Sequence, residues 1–229
     1  MAGKTKNITA SVHQRLLNKA KESSRPFNEI LHKDTVTATR ITEDADYKGV
    51  RVFLRGNLSS IRLFLQIDIG FGDVIIPKPD RVNYPVLLDF PPPELDGYSM
   101  ESTVAEKFQA MVKLGLLNSR MKDFYDIWFL SRRFDFKGET LIEAIEKTFE
   151  KRKTPLISEP SIFNPTFIKD DTKQAQWKGF IDKAKLTNAP SSFEDVAAAV
   201  KVFLQPIVDS TISKRMFQSS WIPPGPWRR

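Results

Sequence analysis

The apolar residues of this 229-residue chain change their period part-way along it, and this change constrains the fold more than any other feature. Between residues 61 and 69 every second residue is apolar, which predicts a β-strand with one buried face. From Met100 onward the apolar residues recur at the spacing of amphipathic helices. A chain that keeps its strands and helices in separate stretches is predicted to fold as an α+β protein.

Two further strands are predicted before residue 61. Residues 36–41 are rich in β-branched side chains, and residues 50–55 alternate apolar and other residues. The run Gly56–Ser60 has the composition of a turn, which would fold the second strand back onto the third. We therefore expect a small antiparallel sheet from about residue 35 to residue 75.

Prolines are concentrated between residues 76 and 93, where a stiff segment is expected to separate the sheet from the helices. We predict an N-terminal domain of residues 1–95, which includes a helix beginning near Ser11, and a helical domain of residues 96–229. The five predicted helices cover residues 100–115, 119–132, 139–152, 172–186 and 191–209. The tryptophans and prolines at the C-terminus predict a tail that docks on this domain.

Composition excludes several kinds of site. The chain has no cysteine, and its histidines are His13 and His32, so disulfides, thiolate catalysis and histidine-based metal sites are not expected. No stretch approaches the eighteen or so apolar residues that a membrane helix needs, and no signal peptide is recognised, which predicts a cytoplasmic protein without a membrane partner.

The net charge of +7 is concentrated at the two ends of the chain. Residues 1–33 contain seven basic and two acidic side chains, and residues 211–229 contain four basic side chains and no acid. Basic ends around a nearly neutral body suit a polyanionic partner, although they would equally serve solubility.

Asp68 is the first candidate for a functional residue. It stands beside Gln66 on the second face of the predicted strand, and Gly70 and Gly72 follow at once. A carboxylate on a rigid strand end, followed by bare backbone, is a common way to build a metal or phosphate site. The alternative is an edge-strand aspartate that faces water.

The first two helices of the predicted helical domain carry a second group of candidates. Lys107 borders the apolar stripe of its helix, where it would either serve a site or extend its ammonium group to water. On the next helix Arg120, Asp123 and Asp126 follow at i, i+3 spacing, and Lys122 is placed to pair with Asp126. These charges lie among aromatic residues, so either a functional site or a self-satisfied surface stripe is expected here.

Several spaced motifs together resemble the AbiEii/AbiGii toxin family of nucleotidyltransferases, the toxin halves of type IV toxin–antitoxin and abortive-infection systems. The resemblance lies in AEKFQAMVKLGLLNSRMKDFYDIWFL (105–130), LQIDIGFGD (65–73), LLDFPPPEL (87–95) and the ending W-x-P-x-G-P-W-R (221–228). It implies transfer of a nucleotide from a nucleoside triphosphate (NTP) with Mg²⁺, Asp68 as a metal ligand, and Lys107 opposite the phosphates. Asp123 and Asp126 would orient the acceptor or Lys107, with Arg120, Lys122 and Gln66 in support.

The resemblance also implies a glycine turn and an Asp-x-Asp pair on an earlier hairpin, and neither is found in residues 1–60 in the expected arrangement. Asp44 and Asp46 spell the pair, but they precede a glycine and lie in a predicted acidic turn. The sequence therefore predicts a nucleotidyltransferase-like sheet from which this segment is missing.

Two interpretations of function follow. The chain is either a nucleotidyltransferase toxin with impaired activity towards an RNA or protein acceptor, or an inactive remnant that binds RNA, an antitoxin or a paralogue. The resemblance implies a winged-helix antitoxin and tRNA or another RNA as partners. A shortened sheet is also expected to expose an edge, and this edge would favour a homo-oligomer.

Overall fold

A computed structural model describes residues 31–41, 49–58, 60–87, 89 and 91–229 of the chain. The predicted opening helix and the pair Asp44 and Asp46 lie outside these residues. Contacts between residues divide the chain into two compact units, one up to Asp73 and one from Val74 to Arg229. The domain division predicted after residue 95 stays a prediction.

The first unit contains a three-stranded antiparallel sheet. Its strands are β1 (Leu31–Ile41), β2 (Gly49–Leu58) and β3 (Ile61–Gly70), in the spatial order β1-β2-β3. The tight connection between β2 and β3 fixes a register in which Arg51 lies opposite Asp68. The predicted antiparallel sheet is confirmed, but the turn was predicted too early, because Gly56, Asn57 and Leu58 still belong to β2.

The apolar face of β3 is much less buried than its alternation predicts. Val52 on β2 is buried, but its partner Ile67 on β3 is 39% exposed, and Leu65, two residues before Ile67, is 40% exposed. The expectation of a fully buried face on β3 is therefore wrong. Alternation records which side chains share a face, but whether that face is covered depends on a second layer that the strand itself does not encode.

The proline-rich segment contains a two-stranded ribbon that the sequence did not predict. β4 (Asp80–Asn83) pairs with β5 (Glu94–Gly97) in antiparallel fashion. Arg81 joins the two strands through salt bridges to Glu94 and Asp96. Most of the prolines lie in or around the loop between the strands, where they remove no hydrogen bond of the ladder.

The described residues of the second unit form six α-helices. They are α1 (Met100–Leu114), α2 (Met121–Arg133), α3 (Gly138–Lys151), α4 (Pro165–Ile168), α5 (Asp171–Ala184) and α6 (Phe193–Ser213). The five predicted helices agree with these bounds to within about one turn. The side chains of Ser99 and Ser192 accept hydrogen bonds from the first turns of α1 and α6, which explains where these helices begin. The α+β prediction is confirmed.

Aromatic side chains fill the core of this helical unit. Phe108 packs between Phe149 and Phe163, with ring centroids 5.4 Å and 6.2 Å away. Trp177 is fully buried and donates a hydrogen bond from its indole nitrogen to the carbonyl of Pro190. Leu114 follows Met111 at helical spacing, which predicts a core position for it, but it is exposed at the end of α1.

α6 is long and apolar enough to cross a membrane by length and composition, so the expectation that no stretch comes near this was wrong. It is the one such helix among the described residues, and 44% of its most apolar 18-residue stretch is buried inside the protein. One of its faces, which includes Val200, Phe203 and Leu204, lies in the core, and a core position accounts for this composition.

The C-terminal tail docks on the helical unit, as predicted. β7 (Ser220–Trp221) pairs with both β6 (Phe136–Lys137) and β8 (Trp227–Arg228). The indole nitrogens of Trp221 and Trp227 donate hydrogen bonds to carbonyls of the helical unit at 2.6 Å and 2.8 Å. Trp221 is therefore buried and Trp227 partly buried, and each satisfies its one polar atom.

Candidate functional site

Five charged residues of α1, α2 and the residue preceding α2 form one network, which we call the lysine cluster. Its members are Lys107, Arg120, Lys122, Asp123 and Asp126. The Lys107 ammonium nitrogen lies 2.6 Å from Asp126 Oδ2 and 3.4 Å from Asp123 Oδ1. The predicted pair of Lys122 and Asp126 is present at 2.5 Å. Lys107 therefore meets two carboxylates from the neighbouring helix rather than extending alone into water.

Apolar residues on the same helices hold this network in place. On α1, Val104 and Phe108 flank Lys107 and are fully buried. On α2, Phe124 and Ile127 are fully buried beside Asp123 and Asp126. Because residues three or four apart share a helix face, burying these apolar residues leaves the charged ones at the seam between the two helices.

Asp123 is the most buried charge in the lysine cluster. Its side chain is only 10% exposed, and the Oδ2 atom makes no hydrogen bond among the described residues. The nearest cation to Oδ2 is the Nε atom of Arg120, which lies 3.4 Å away without hydrogen-bond geometry. A buried carboxylate oxygen that lacks a hydrogen bond is costly to keep.

The lysine cluster carries a small positive excess, because three cations face two carboxylates. Arg120 and Lys122 are exposed, whereas the side chain of Lys107 is about one-fifth exposed at 21%. An anion that approached this seam would meet the two exposed cations first and the ordered ammonium group of Lys107 behind them.

Asp68 lies on β3 and is bound by Arg51 of β2. The guanidinium group donates two hydrogen bonds, from Nε to Oδ1 at 2.8 Å and from the second terminal nitrogen to Oδ2 at 2.9 Å. The amide of Gln66 lies 3.2 Å and 3.3 Å from the same oxygens. The hydrogen bonds from Arg51 hold the pKa of the Asp68 carboxyl below its usual value, with a smaller contribution from Gln66.

The described residues do not fit a Mg²⁺ site at Asp68. Magnesium needs carboxylate oxygens that are available to it, commonly from more than one residue. Both oxygens of Asp68 face a guanidinium group, and nowhere in the described ranges do three acidic or histidine side chains come together as a metal site. The Asp68 carboxylate thus forms an ion pair with Arg51.

The predicted site residues fall into two groups. Lys107, Arg120, Lys122, Asp123 and Asp126 meet in the helical unit, and Asp68 meets Gln66 in the sheet unit. The resemblance implies one nucleotide site that contains both Asp68 and Lys107, and this shared site stays a prediction. Arg51 is the residue that the sequence reasoning missed, although the tight β2–β3 turn sets the register that places it opposite Asp68.

A comparison with known protein families gives a match over most of the chain. A family model described as nucleotidyl transferase AbiEii toxin, type IV TA system, matches residues 9–199. This range includes Asp68 and the whole lysine cluster, and it ends before the Trp/Pro-rich tail. Searches among curated proteins and among solved structures found no match. The resemblance read from the motifs is confirmed, and the chain belongs to the AbiEii family of nucleotidyltransferase toxins of type IV toxin–antitoxin systems.

Proposed function

We propose that this chain is a nucleotidyltransferase toxin that binds an NTP and an RNA acceptor, and that its transfer step is impaired. The observation that carries the proposal is the state of Asp68, whose two oxygens are both engaged by Arg51. Family membership supplies the reaction class, and this ion pair supplies the reason to expect little turnover.

Lys107 is the residue proposed to meet the phosphates. Its ammonium group is held 2.6 Å from Asp126 and 3.4 Å from Asp123, so its position is fixed before a ligand arrives. A preorganised cation loses less side-chain entropy on binding than a free one and therefore binds an anion more tightly. Asp123 and Asp126 act as positioning residues in this proposal, with Arg120 and Lys122 attracting the charged ligand to the seam.

The acceptor is proposed to be an RNA, with tRNA as the first one to test. The basic residues at the two ends of the chain favour a polyanion, and a polyanion binds such a protein with strong salt dependence. A protein acceptor is the alternative outcome of the same assay. The same assay, run with each nucleoside triphosphate in turn, identifies the nucleotide that the site prefers.

A second candidate function is favoured by the same ion pair. If Asp68 serves only to join β2 and β3, the chain is an inactive family member that binds RNA, its antitoxin or a paralogue. The family implies an antitoxin partner, and we propose a winged-helix protein in the cytoplasm for this role. β1 and β3 are the edge strands of the described sheet, which offers a route to a homo-oligomer.

The deciding experiment separates binding from transfer. Purified chain is incubated with labelled nucleoside triphosphates, Mg²⁺ and total tRNA, and transfer is followed by gel. Binding of a fluorescent NTP analogue is measured in parallel. We expect trace transfer at most, together with NTP binding that Lys107→Ala weakens roughly ten- to a hundredfold, as for a lost charge-assisted hydrogen bond.

Lys178→Ala is the matched control for Lys107→Ala. Lys178 pairs with Asp182 on the exposed side of α5 and should leave NTP binding unchanged. Robust transfer that Asp68→Ala abolishes would overturn the impairment and assign Asp68 to the reaction. Equal NTP binding by wild type and Lys107→Ala would exclude Lys107 from the phosphate site and favour the binding-module function.

A further inference from the structure

The face of the sheet that carries Asp68 also presents aromatic and basic side chains to solvent. In the observed register Arg51, Phe53 and Arg55 of β2 lie opposite Asp68, Gln66 and Phe64 of β3. Directly opposed residues of antiparallel strands point to the same side of the sheet. We call this surface the aromatic face and define it by Arg51, Phe53, Arg55, Arg62, Phe64 and Gln66.

Two phenylalanine rings stand exposed on the aromatic face. Phe64 is 73% exposed and Phe53 is 40% exposed. They lie on adjacent strands at diagonal positions, a relation that places residues about 7–8 Å apart. The guanidinium carbon of Arg55 lies 5.4 Å from the centroid of the Phe64 ring and so orders it from one side. Both rings are exposed enough to stack with a ligand, and Arg55 holds that of Phe64.

The charges of the aromatic face suit a polyanion. Asp68 is the one acid among the register-paired residues on this side of β2 and β3, and Arg51 neutralises it. Arg55 and Arg62 remain, and neither forms a salt bridge with another residue in the described ranges. The surface therefore combines two cations with two rings.

A groove of about 640 Å³ borders part of the aromatic face, where Phe53, Arg55, Phe64 and Gln66 line it, and Leu54 and Leu65 line it as well. All three strands contribute to it, with Thr37 of β1 on one side and Phe64 and Gln66 of β3 on the other. The hydroxyl and amide groups in its wall can exchange hydrogen bonds with base edges, since each can donate and accept. The volume lies within the range of small-ligand sites.

We propose that the aromatic face binds single-stranded RNA, with nucleobases stacked on Phe53 and Phe64 and phosphates beside Arg55 and Arg62. Exposed rings on a sheet, interleaved with arginines, recognise unpaired bases because every base offers a flat surface. A duplex hides those surfaces and is excluded. The opposite face, with Leu65 and Ile67, is the one whose composition suits packing against protein. The inference rests on the proposed function in so far as RNA is the acceptor.

The test measures RNA binding without NTP or Mg²⁺, so a chain that transfers no nucleotide still reports on this surface. The probe is a fluorescein-labelled oligouridine of about 12 nucleotides, a length that one small surface can occupy, and fluorescence anisotropy gives its Kd. We expect Phe64→Ala and Phe53→Ala each to weaken binding roughly ten- to a hundredfold, as for the loss of one stacked base. Arg62→Gln should reduce the slope of log K against log salt by roughly 0.7.

Matched controls separate stacking from loss of fold. Ile61→Ala removes an exposed apolar side chain from the opposite face of β3 and should leave the Kd unchanged. Phe64→Tyr keeps a stacking ring and should retain wild-type affinity. The melting temperature of each variant shows whether it is folded.

Three results would overturn the proposal. Binding of duplex RNA as tight as that of oligouridine would assign the affinity to backbone charge alone. Unchanged affinity of the Phe53→Ala, Phe64→Ala double variant would exclude stacking. Sedimentation showing that Phe64→Ala dissociates an oligomer, with RNA binding unaffected, would make the aromatic face a protein interface.

Discussion

The two compact units of this chain treat their apolar residues in opposite ways. In the helical unit Phe108, Phe124 and Trp177 are fully buried. In the sheet unit Leu65 and Ile67 remain about two-fifths exposed, although they belong to an alternation as regular as any helical stripe, and Phe64 on the other face is 73% exposed. The difference teaches that periodicity encodes which residues share a face, whereas burial requires a partner layer that meets that face.

The functional groups differ in the same way. In the helical unit the charges of Lys107, Asp123 and Asp126 are enclosed at a helix seam, where water screens them weakly. In the sheet unit Asp68 and Arg51 pair on an open surface. A pair at the surface contributes little to stability and can exchange its partners, while an enclosed network holds one geometry.

The largest expected effect on stability appears when a core ring of the helical unit is replaced by alanine and compared with the same replacement of an exposed ring in the sheet unit. Phe108→Ala should lower the free energy of unfolding by roughly 3–5 kcal/mol, because it leaves a cavity between Phe149 and Phe163. Phe64→Ala should change it by less than about 0.5 kcal/mol. Urea denaturation followed by circular dichroism measures both. Equal losses would mean that Phe64 is covered in solution.

A pair of glycines sharpens the comparison within the helical unit. Gly225 has φ +100°, and a Cβ there would overlap the Trp221 ring. Gly225→Ala should therefore destabilise the protein by roughly 1–3 kcal/mol. Gly179 lies within α5, and a Cβ added there meets nothing within 4 Å. Gly179→Ala should raise stability by about 0.5–1 kcal/mol through helix propensity.

Thermal melts of the two glycine variants decide this prediction. If the tail is docked, the melting temperature should fall for Gly225→Ala and rise for Gly179→Ala. If the melting temperature of Gly225→Ala equalled that of the wild type, Gly225 would not contact Trp221 in the dissolved protein, and the tail would not be docked as described.

Removing Lys107, the most buried cation of the lysine cluster, should have an intermediate effect. Lys107→Met leaves the carboxylates of Asp123 and Asp126 without the ammonium group between them. We expect a loss of roughly 1–2 kcal/mol in the free energy of unfolding, because the group is mostly but not fully buried. Adding Asp123→Asn to this variant should recover part of the loss.

The double-mutant cycle of Lys107→Met and Asp123→Asn supplies the measurement for this pair. Additive losses would mean that Lys107 and Asp123 are independent. Such a result would remove the argument that Asp123 positions Lys107.

The smallest expected effect is on the titration of Asp68. Arg51 lowers the pKa of this carboxyl, so the stability from the pair is present above the unfolded-state pKa and is lost as pH falls through the lower, folded pKa. Carboxyl carbon NMR should show Asp68 titrating below the usual 3.8 in wild type. In Arg51→Gln it should move up towards that value. An identical midpoint in both proteins would contradict the pairing in solution.

Much of the fold was predictable because its signals are local. Helix α1 shows this, since Ser99 caps it and its apolar stripe repeats at the helical period, both visible in the sequence. The ribbon of β4 and β5 was missed because its strands are only four residues long and prolines fill the loop between them. Short strands give too few alternations to establish a period.

The contacts of the candidate site were likewise predictable only where both residues lie on one element. The pair of Lys122 and Asp126 was predictable because both residues lie on one helix at i, i+4 spacing. The meeting of Lys107 with Asp123 and Asp126 depends on how α1 packs against α2, which no spacing within one helix contains. Arg51 was overlooked at Asp68 because the pairing is a matter of register across a turn.

The sequence by itself determined the α+β order, five of the six described α-helices, the docking of the tail and membership of the AbiEii family, because each depends on patterns carried by neighbouring residues. The tertiary structure alone decided that Arg51 binds both oxygens of Asp68, that Lys107 lies between two carboxylates, and that one sheet face presents its rings to solvent. Side chains from different elements meet only when those elements pack, and packing is a property of the whole fold.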